Sequence, residues 1–212
     1  MLGIKRANGG ALLVDADARL IVQSAGQIVH TGPIQLSRGS TLQSINGLRL
    51  ALGGVLESFD SATVIGRFQN DGVVAASATA GDRLSFNDAV SGNGNFSGNV
   101  RFDQGCSPGG NATAQVSFGQ LGLLSSTTLN LDIAGPGALA GGTGFDQLNL
   151  RGEALLDGSL NIAFAPGSLA AEGQSFVLMT WAGYSGAFNS VVVNGQRLTC
   201  TARWTTAPAS CG

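Results

Sequence analysis

The chain has 212 residues, 43% of them apolar, with 11 lysines and arginines against 13 aspartates and glutamates and a formal charge of −2. So large an apolar share excludes general disorder, because it can bury a continuous core. A single lysine (Lys5) and ten scattered arginines exclude the basic stripe that tracks phosphates, so nucleic acid is not an expected partner.

Charged residues make up only 11% of the chain, well under the usual quarter, which leaves Ser, Thr, Asn, Gln and Gly to cover the surface. The opening MLGIKRANGGALLVDADARL does not read as an export leader: Leu12–Val14 is too short an apolar core, and Asp15 and Asp17 interrupt it. Two readings follow, a cytosolic protein or the downstream part of a longer secreted polypeptide. Low charge and scarce lysine favour the second, with an extracellular or cell-surface location. No apolar stretch reaches the roughly 18 residues of a spanning helix.

From Ala11 to Phe102 short apolar pulses follow one another: Leu20-Ile21-Val22, Ile28-Val29, Ile34-Leu36, Leu42-Ile45, Leu48-Leu50, Val55-Leu56, Val64-Ile65, Val73-Val74 and Leu84-Phe86. Gly, Asn, Asp or Ser falls in nearly every gap. Three pulses would make one coil of a solenoid of roughly 20–24 residues. A sandwich of hairpins turning at Asn46-Gly47 and Asp71-Gly72 gives a similar pattern. The solenoid is preferred, because the pulses are very short and aromatics are only 6%. Ser91–Gly110 is rich in Gly and Asn, yet Phe96, Val100 and Phe102 keep an inward rhythm, so it reads as a rung with tight corners rather than a linker.

Farther on, Thr127–Ile133, Phe145–Leu150, Ser159–Phe164 and Ser175–Met179 alternate with the period of a half-buried strand. The best helical candidate, Pro166–Glu172, spans little more than a turn or two. Expected inward residues include Leu129, Leu131, Ile133, Leu148, Leu150, Leu160, Ile162, Phe164, Phe176, Leu178, Val191 and Val193. Cys200 and Cys211 lie close enough in sequence to staple a terminal hairpin, worth roughly 2–3 kcal/mol. Three reduced thiols are the alternative. No CxxC pair suggests zinc.

The segments GNGNFSGNVRFDQGCSPGGNATAQVSF (92–118), STTLNLDIAG (126–135), GGTGFDQLNLRGEALLDGSLNIAF (141–164) and GQSFVLMTWAGYSGAFNSV (173–191) follow in order. Together, over about residues 85–192, they resemble the distal part of bacterial autotransporter-type passengers and related secreted β-helix proteins, some with a PEP-CTERM-type sorting tail. The resemblance implies a right-handed parallel β-helix at or beyond the cell surface. The chain departs from it in two ways: neither a membrane β-barrel nor a sorting tail follows Gly212 in the sequence. The expectation is therefore a fragment, a processed passenger or a relative exported by another route.

Several groups invite chemistry. Gly141–Asn149 (GGTGFDQLN) fits the calcium-binding nonapeptide at each fixed position. One copy supplies too few of the six to eight oxygens calcium takes, so the preferred reading is a turn in which Asp146 caps backbone N–H groups. Asp15 and Asp17 would share a strand face, and with Glu57 and Asp60 could supply the paired acids of a polysaccharide-active enzyme. The ordinary reading is a solvated strand edge. His30, the only histidine, is expected at a corner with no triad around it. Gly92–Gly98 lacks the following helix of a phosphate loop. Asn95 and Asn111 match glycosylation sequons but read as ladder or turn residues. Trp181, Tyr184 and Trp204 are expected to cover the last rung, with a sugar platform as the alternative.

The resulting expectation is an all-β, right-handed parallel β-helix (β-solenoid): a single rod-like domain of roughly nine rungs over 1–194, about 45 Å long, with a C-terminal cap at 195–212. It carries no catalytic, cofactor or metal residues and needs no cofactor. The expected role is a non-enzymatic, adhesin-like stalk whose polar surface makes weak multivalent contacts with cell-surface glycans or other copies of itself. A polysaccharide-active enzyme and a self-assembling filament subunit are the alternatives.

Overall fold

The computed structural model describes residues 4–7, 10–110, 112–123, 126–136, 144–168, 170–171, 173–194 and 209–211. The described residues contain strands and turns and no helix. From Ala11–Val14 to Ser159–Phe164 strands recur in threes, and all but one pair in parallel with the strand three places on, so the chain coils as a parallel β-solenoid. Eight three-strand rungs are present among the described residues.

The first face takes Ala11–Val14, Pro33–Leu36, Val55–Ser58, Val73–Ala76, Asn95–Ser97, Gln115–Phe118, Gln147–Leu150 and Phe176–Thr180. The second takes Arg19–Val22, Thr41–Ser44, Ala62–Ile65, Leu84–Phe86, Asn99–Phe102, Gln120–Leu123, Glu153–Leu156 and Gly183–Gly186. The third takes Ile28–His30, Leu48–Leu50, Phe68–Asn70, Val90–Gly92, Gly105–Pro108, Thr128–Ile133, Ser159–Phe164 and Ser190–Asn194. The first face is interrupted once, between its fifth and sixth strands. There the Ser117 N–H donates to the Asn95 side-chain carbonyl at 3.4 Å in place of a backbone ladder.

Asn46-Gly47 and Asp71-Gly72 are corners between faces rather than hairpin turns. Early rungs repeat every 22 residues, as the registers Leu12–Ile34 and Ile34–Leu56 show. The coil tightens to 16 between Phe86 and Phe102, within the Gly/Asn-rich stretch. It then expands to 31 between Leu160 and Val191. Those longer late corners explain why eight rungs form where a uniform repeat suggested nine.

Strict alternation builds the core, because successive side chains of a strand point to opposite faces of the sheet. In Thr128–Ile133 the residues Leu129, Leu131 and Ile133 are buried and the intervening polar ones are not. Like side chains then stack from rung to rung: Leu20, Leu42, Val64, Phe86 and Phe102 lie in one interior file. The phenylalanines concentrate in the middle of the coil. Phe86 sits 5.0 Å from Phe68 and 5.7 Å from Phe102, and Phe96 stacks on Phe118 at 5.0 Å. Each such pair is worth about 0.5–1.5 kcal/mol beyond burial. Phe164 and Val193 are only partly buried, and Val191, on the last rung, is exposed because no further described rung covers it.

The Gly/Asn-rich stretch folds around one interior amide. Asn70 is fully buried; its Oδ1 accepts from the Gly72 N–H at 3.1 Å and its Nδ2 donates to the Asn95 carbonyl at 3.2 Å. Gly92 turns past it at φ +104°, and a Cβ there would lie 2.1 Å from the Asn70 carbonyl oxygen. These glycines are required by a tight corner, not by a phosphate.

At the ends, two antiparallel strands cover the first face: Ile4–Ala7 beside the first rung and Ala209–Cys211 beside the last. The proposed cap at 195–212, including the partner in any Cys200–Cys211 bridge, lies largely outside the described residues.

Candidate ligand-binding groove

The outward residues of the second face form two files, set by strand register. One runs Thr41, Thr63, Ser85, Arg101, Gly122, Leu155. Beside it, two residues back along each strand, run Ser61, Arg83, Asn99, Gln120 and Glu153. Neighbours within a file are about 4.8 Å apart, and the two files lie about 6.6 Å apart along the strands.

The corner Ser77–Arg83 stands up beside these files as a wall. It is fixed from below by Asn99, whose Nδ2 donates to the Thr79 carbonyl at 2.9 Å and the Asp82 carbonyl at 3.3 Å. The Ser77 hydroxyl donates to the Asp82 carboxylate at 2.8 Å, closing the corner on itself. Two hollows flank this wall, about 290 Å³ over Asn99, Gln120 and Gly122 and about 270 Å³ over Ser61, Thr63 and Ser85, and Arg83 lines both. Arg101, in the second hollow, is clamped by Asp103 at 2.6 and 3.3 Å. Arg83 is exposed and has no carboxylate within ion-pair distance among the described residues. Gly122 leaves the floor of the larger hollow open. A Cβ there would meet Arg101 Cγ at an ordinary 3.5 Å, so its lack of a side chain is not demanded by the backbone.

The groups singled out in the sequence lie elsewhere. Asp15 and Asp17 do not share a strand face: they occupy the corner after Val14, where Asp17 takes φ 56° and its N–H donates to the Arg38 carbonyl at 2.8 Å. Asp is among the few non-glycine residues that visit that region. Asp60 lies on the same corner two rungs on, about 10 Å along the axis. Glu57 points out from the first face, accepting from Gln35 Nε2 at 2.9 Å. His30 ends the first strand of the third face, half-buried, with Nε2 buried and without a partner among the described residues.

Of the calcium-like motif, Gly141–Thr143 lie outside the described residues. Asp146 is fully buried, and its carboxylate accepts the Ala114 N–H at 2.7 Å and the Asp132 N–H at 2.8 Å. It thus caps backbone donors on two separate stretches of chain. Burial pushes its pKa up to about 7 despite the two donors that favour the ionised form, with the nearby Asp132 adding to the rise. Among the described residues no cluster of three His, Cys, Asp or Glu side chains is placed to hold a metal.

Asn95 is an exposed strand residue, and Asn111 lies outside the described residues. The asparagine ladder forms instead on the third face, where Asn161 Nδ2 donates to Asn130 Oδ1 at 3.0 Å and Asn130 Nδ2 to the Ser107 hydroxyl at 3.2 Å. Trp181 and Tyr184 pack together on the last rung at 5.2 Å; Trp204 is not among the described residues.

Arg83 and Arg101 escaped the sequence reading because they look isolated along the chain. Their spacing of 18 residues, two more than the 16 of the tight rung, was the clue that could have placed them on adjacent rungs. No protein-family model, curated protein or solved structure matches the chain, so the resemblance drawn from residues 85–192 rests on those residues alone.

Proposed function

We propose that this chain is a non-enzymatic, adhesin-like β-solenoid working outside the cell or at its surface, where long polar faces make many weak contacts with glycans. The observation that carries this reading is the repetition of uncharged hydrogen-bonding groups down the outer faces. Ser107, Asn130 and Asn161 form one such file, and Ser117, Asn149 and Thr180 another, with Thr180 donating to Asn149 at 3.0 Å. The backbone ladder holds these groups in register, so a repetitive ligand meets many of them at once, and linked weak contacts multiply into avidity. The resemblance to autotransporter-type passengers agrees with that role.

The test is retention on immobilised glycans after removal of residues 33–54, one full 22-residue rung whose neighbours then pair in register. Retention within about tenfold of the intact chain is expected from a distributed surface. Complete loss by a folded variant would refute it.

End-to-end assembly is a second reading, favoured by the strands Arg19–Val22, Ile28–His30, Gly183–Gly186 and Ser190–Asn194. None of them has a further strand beside it among the described residues, and such edges recruit other chains. The antiparallel strands on the first face oppose simple stacking, since among the described residues they have no counterparts on the other two faces. A single monomeric species in sedimentation velocity at high concentration would dismiss it.

A further inference from the structure

We infer that the groove on the second face binds an acidic polysaccharide, with Arg83 pairing an acidic group and the surrounding hydroxyls and amides reading the sugar hydroxyls. The inference deepens the glycan-contact reading and rests on it. Arg83 lines both hollows, is exposed, and has no ion-pair partner among the described residues, whereas Arg101 is already held by Asp103. An unpaired guanidinium presents a fork of donors matched to a carboxylate or sulfate. Around it stand the hydroxyls of Thr63 and Ser85 and the amide of Gln120, groups that donate and accept at neutral charge.

The order of charges along the groove narrows the ligand. Asp82 and Glu153 line the larger hollow with Arg83, so a chain bearing a dense run of phosphates would be repelled over most of the length. A hydroxyl-rich chain with sparse acidic groups is accommodated. Asp82 and Glu153 stem from rungs three apart, about 14 Å between their backbones along the axis, so the groove offers contacts along the length of a chain.

Isothermal titration of the full chain with three hexasaccharides tests this: a hyaluronan fragment (carboxylated on alternate sugars only), a keratan sulfate fragment (sparsely sulfated, without carboxylate) and cellohexaose (neutral). Arg83→Ala removes the guanidinium, and Gly122→Leu fills the floor without backbone strain. Thermal melts check that both variants are folded. The expected result is binding of at least one acidic hexamer, at least about tenfold weaker for cellohexaose, and a loss of about tenfold or more in each variant. Which acidic hexamer binds more tightly identifies carboxylate or sulfate as the group read. Equal affinity for the neutral hexamer, or unchanged affinity in both folded variants, would overturn the assignment while leaving glycan contact elsewhere on the surface intact. Absence of binding to every glycan, immobilised forms included, would overturn both.

Discussion

Replacing Asp146 with asparagine tests why this buried carboxylate has a raised pKa. Its two oxygens each take a backbone N–H, from Ala114 and from Asp132, in a fully buried position. Asparagine keeps one acceptor and turns an NH₂ toward the other donor, leaving a buried N–H unpaired at a cost of about 1–3 kcal/mol. The pH dependence is the sharper test. With the folded pKa raised to about 7 from an ordinary 3.8, the folded protein retains a proton that the unfolded chain has lost throughout that interval. Wild-type stability is therefore fully present below about pH 4 and falls as pH rises toward 7, by at most about 1.4 kcal/mol per pH unit. The ceiling over the interval is about 4 kcal/mol. The asparagine variant lacks this contribution, while every other titrating group is common to both proteins. Urea unfolding at pH 4.5 and pH 8 should show the wild-type advantage shrinking by about 2 kcal/mol or more between the two. An advantage that grows with pH would mean the two N–H donors outweigh burial and hold the carboxylate ionised, and the reasoning would fail.

Gly92→Ala should cost at least about 2 kcal/mol in chemical denaturation, from positive φ together with a Cβ driven onto the Asn70 carbonyl. A loss under about 0.5 kcal/mol would contradict the corner geometry. Phe86→Ala, at the centre of the phenylalanine file, is expected to lose about 3–5 kcal/mol, measured the same way. Asn161→Ala removes the amide donated to Asn130 from the half-exposed ladder of the third face and should cost about 1–2 kcal/mol. Cys106 is buried, and burial with the nearby Asp146 raises its thiol pKa. Peptide mapping after alkylation of the native protein at pH 8 should find it unmodified, whereas rapid labelling would show that the core admits solvent there.

The strands were legible because alternation is a local property. Leu129, Leu131, Ile133, Leu148 and Leu150 point inward as their spacing requires, and Phe96, Val100 and Phe102 kept that rhythm through a segment whose composition suggested a linker. Corners were harder to read. Asp15-Ala16-Asp17 has the spacing of a strand face, yet the chain turns there with Asp17 left-handed, because the left-handed residue need not be glycine. The rung count also slipped, since the late corners lengthen without any apolar period to reveal it. Asp146 shows the reverse: its motif resembled a cation site, and the residue lies buried against backbone donors instead.

The groove was not legible in the order of residues. Sequence alone determined which side chains face inward and that three short strands make a coil, because both follow from a period of two interrupted by turn residues. It did not determine which outward side chains become neighbours. Arg83, Ser85, Asn99 and Arg101 meet because one rung contracts to 16 residues just there. Tertiary structure decided that contact, because the register between rungs depends on how many residues each corner consumes, and a corner closes on hydrogen bonds made to other turns of the coil.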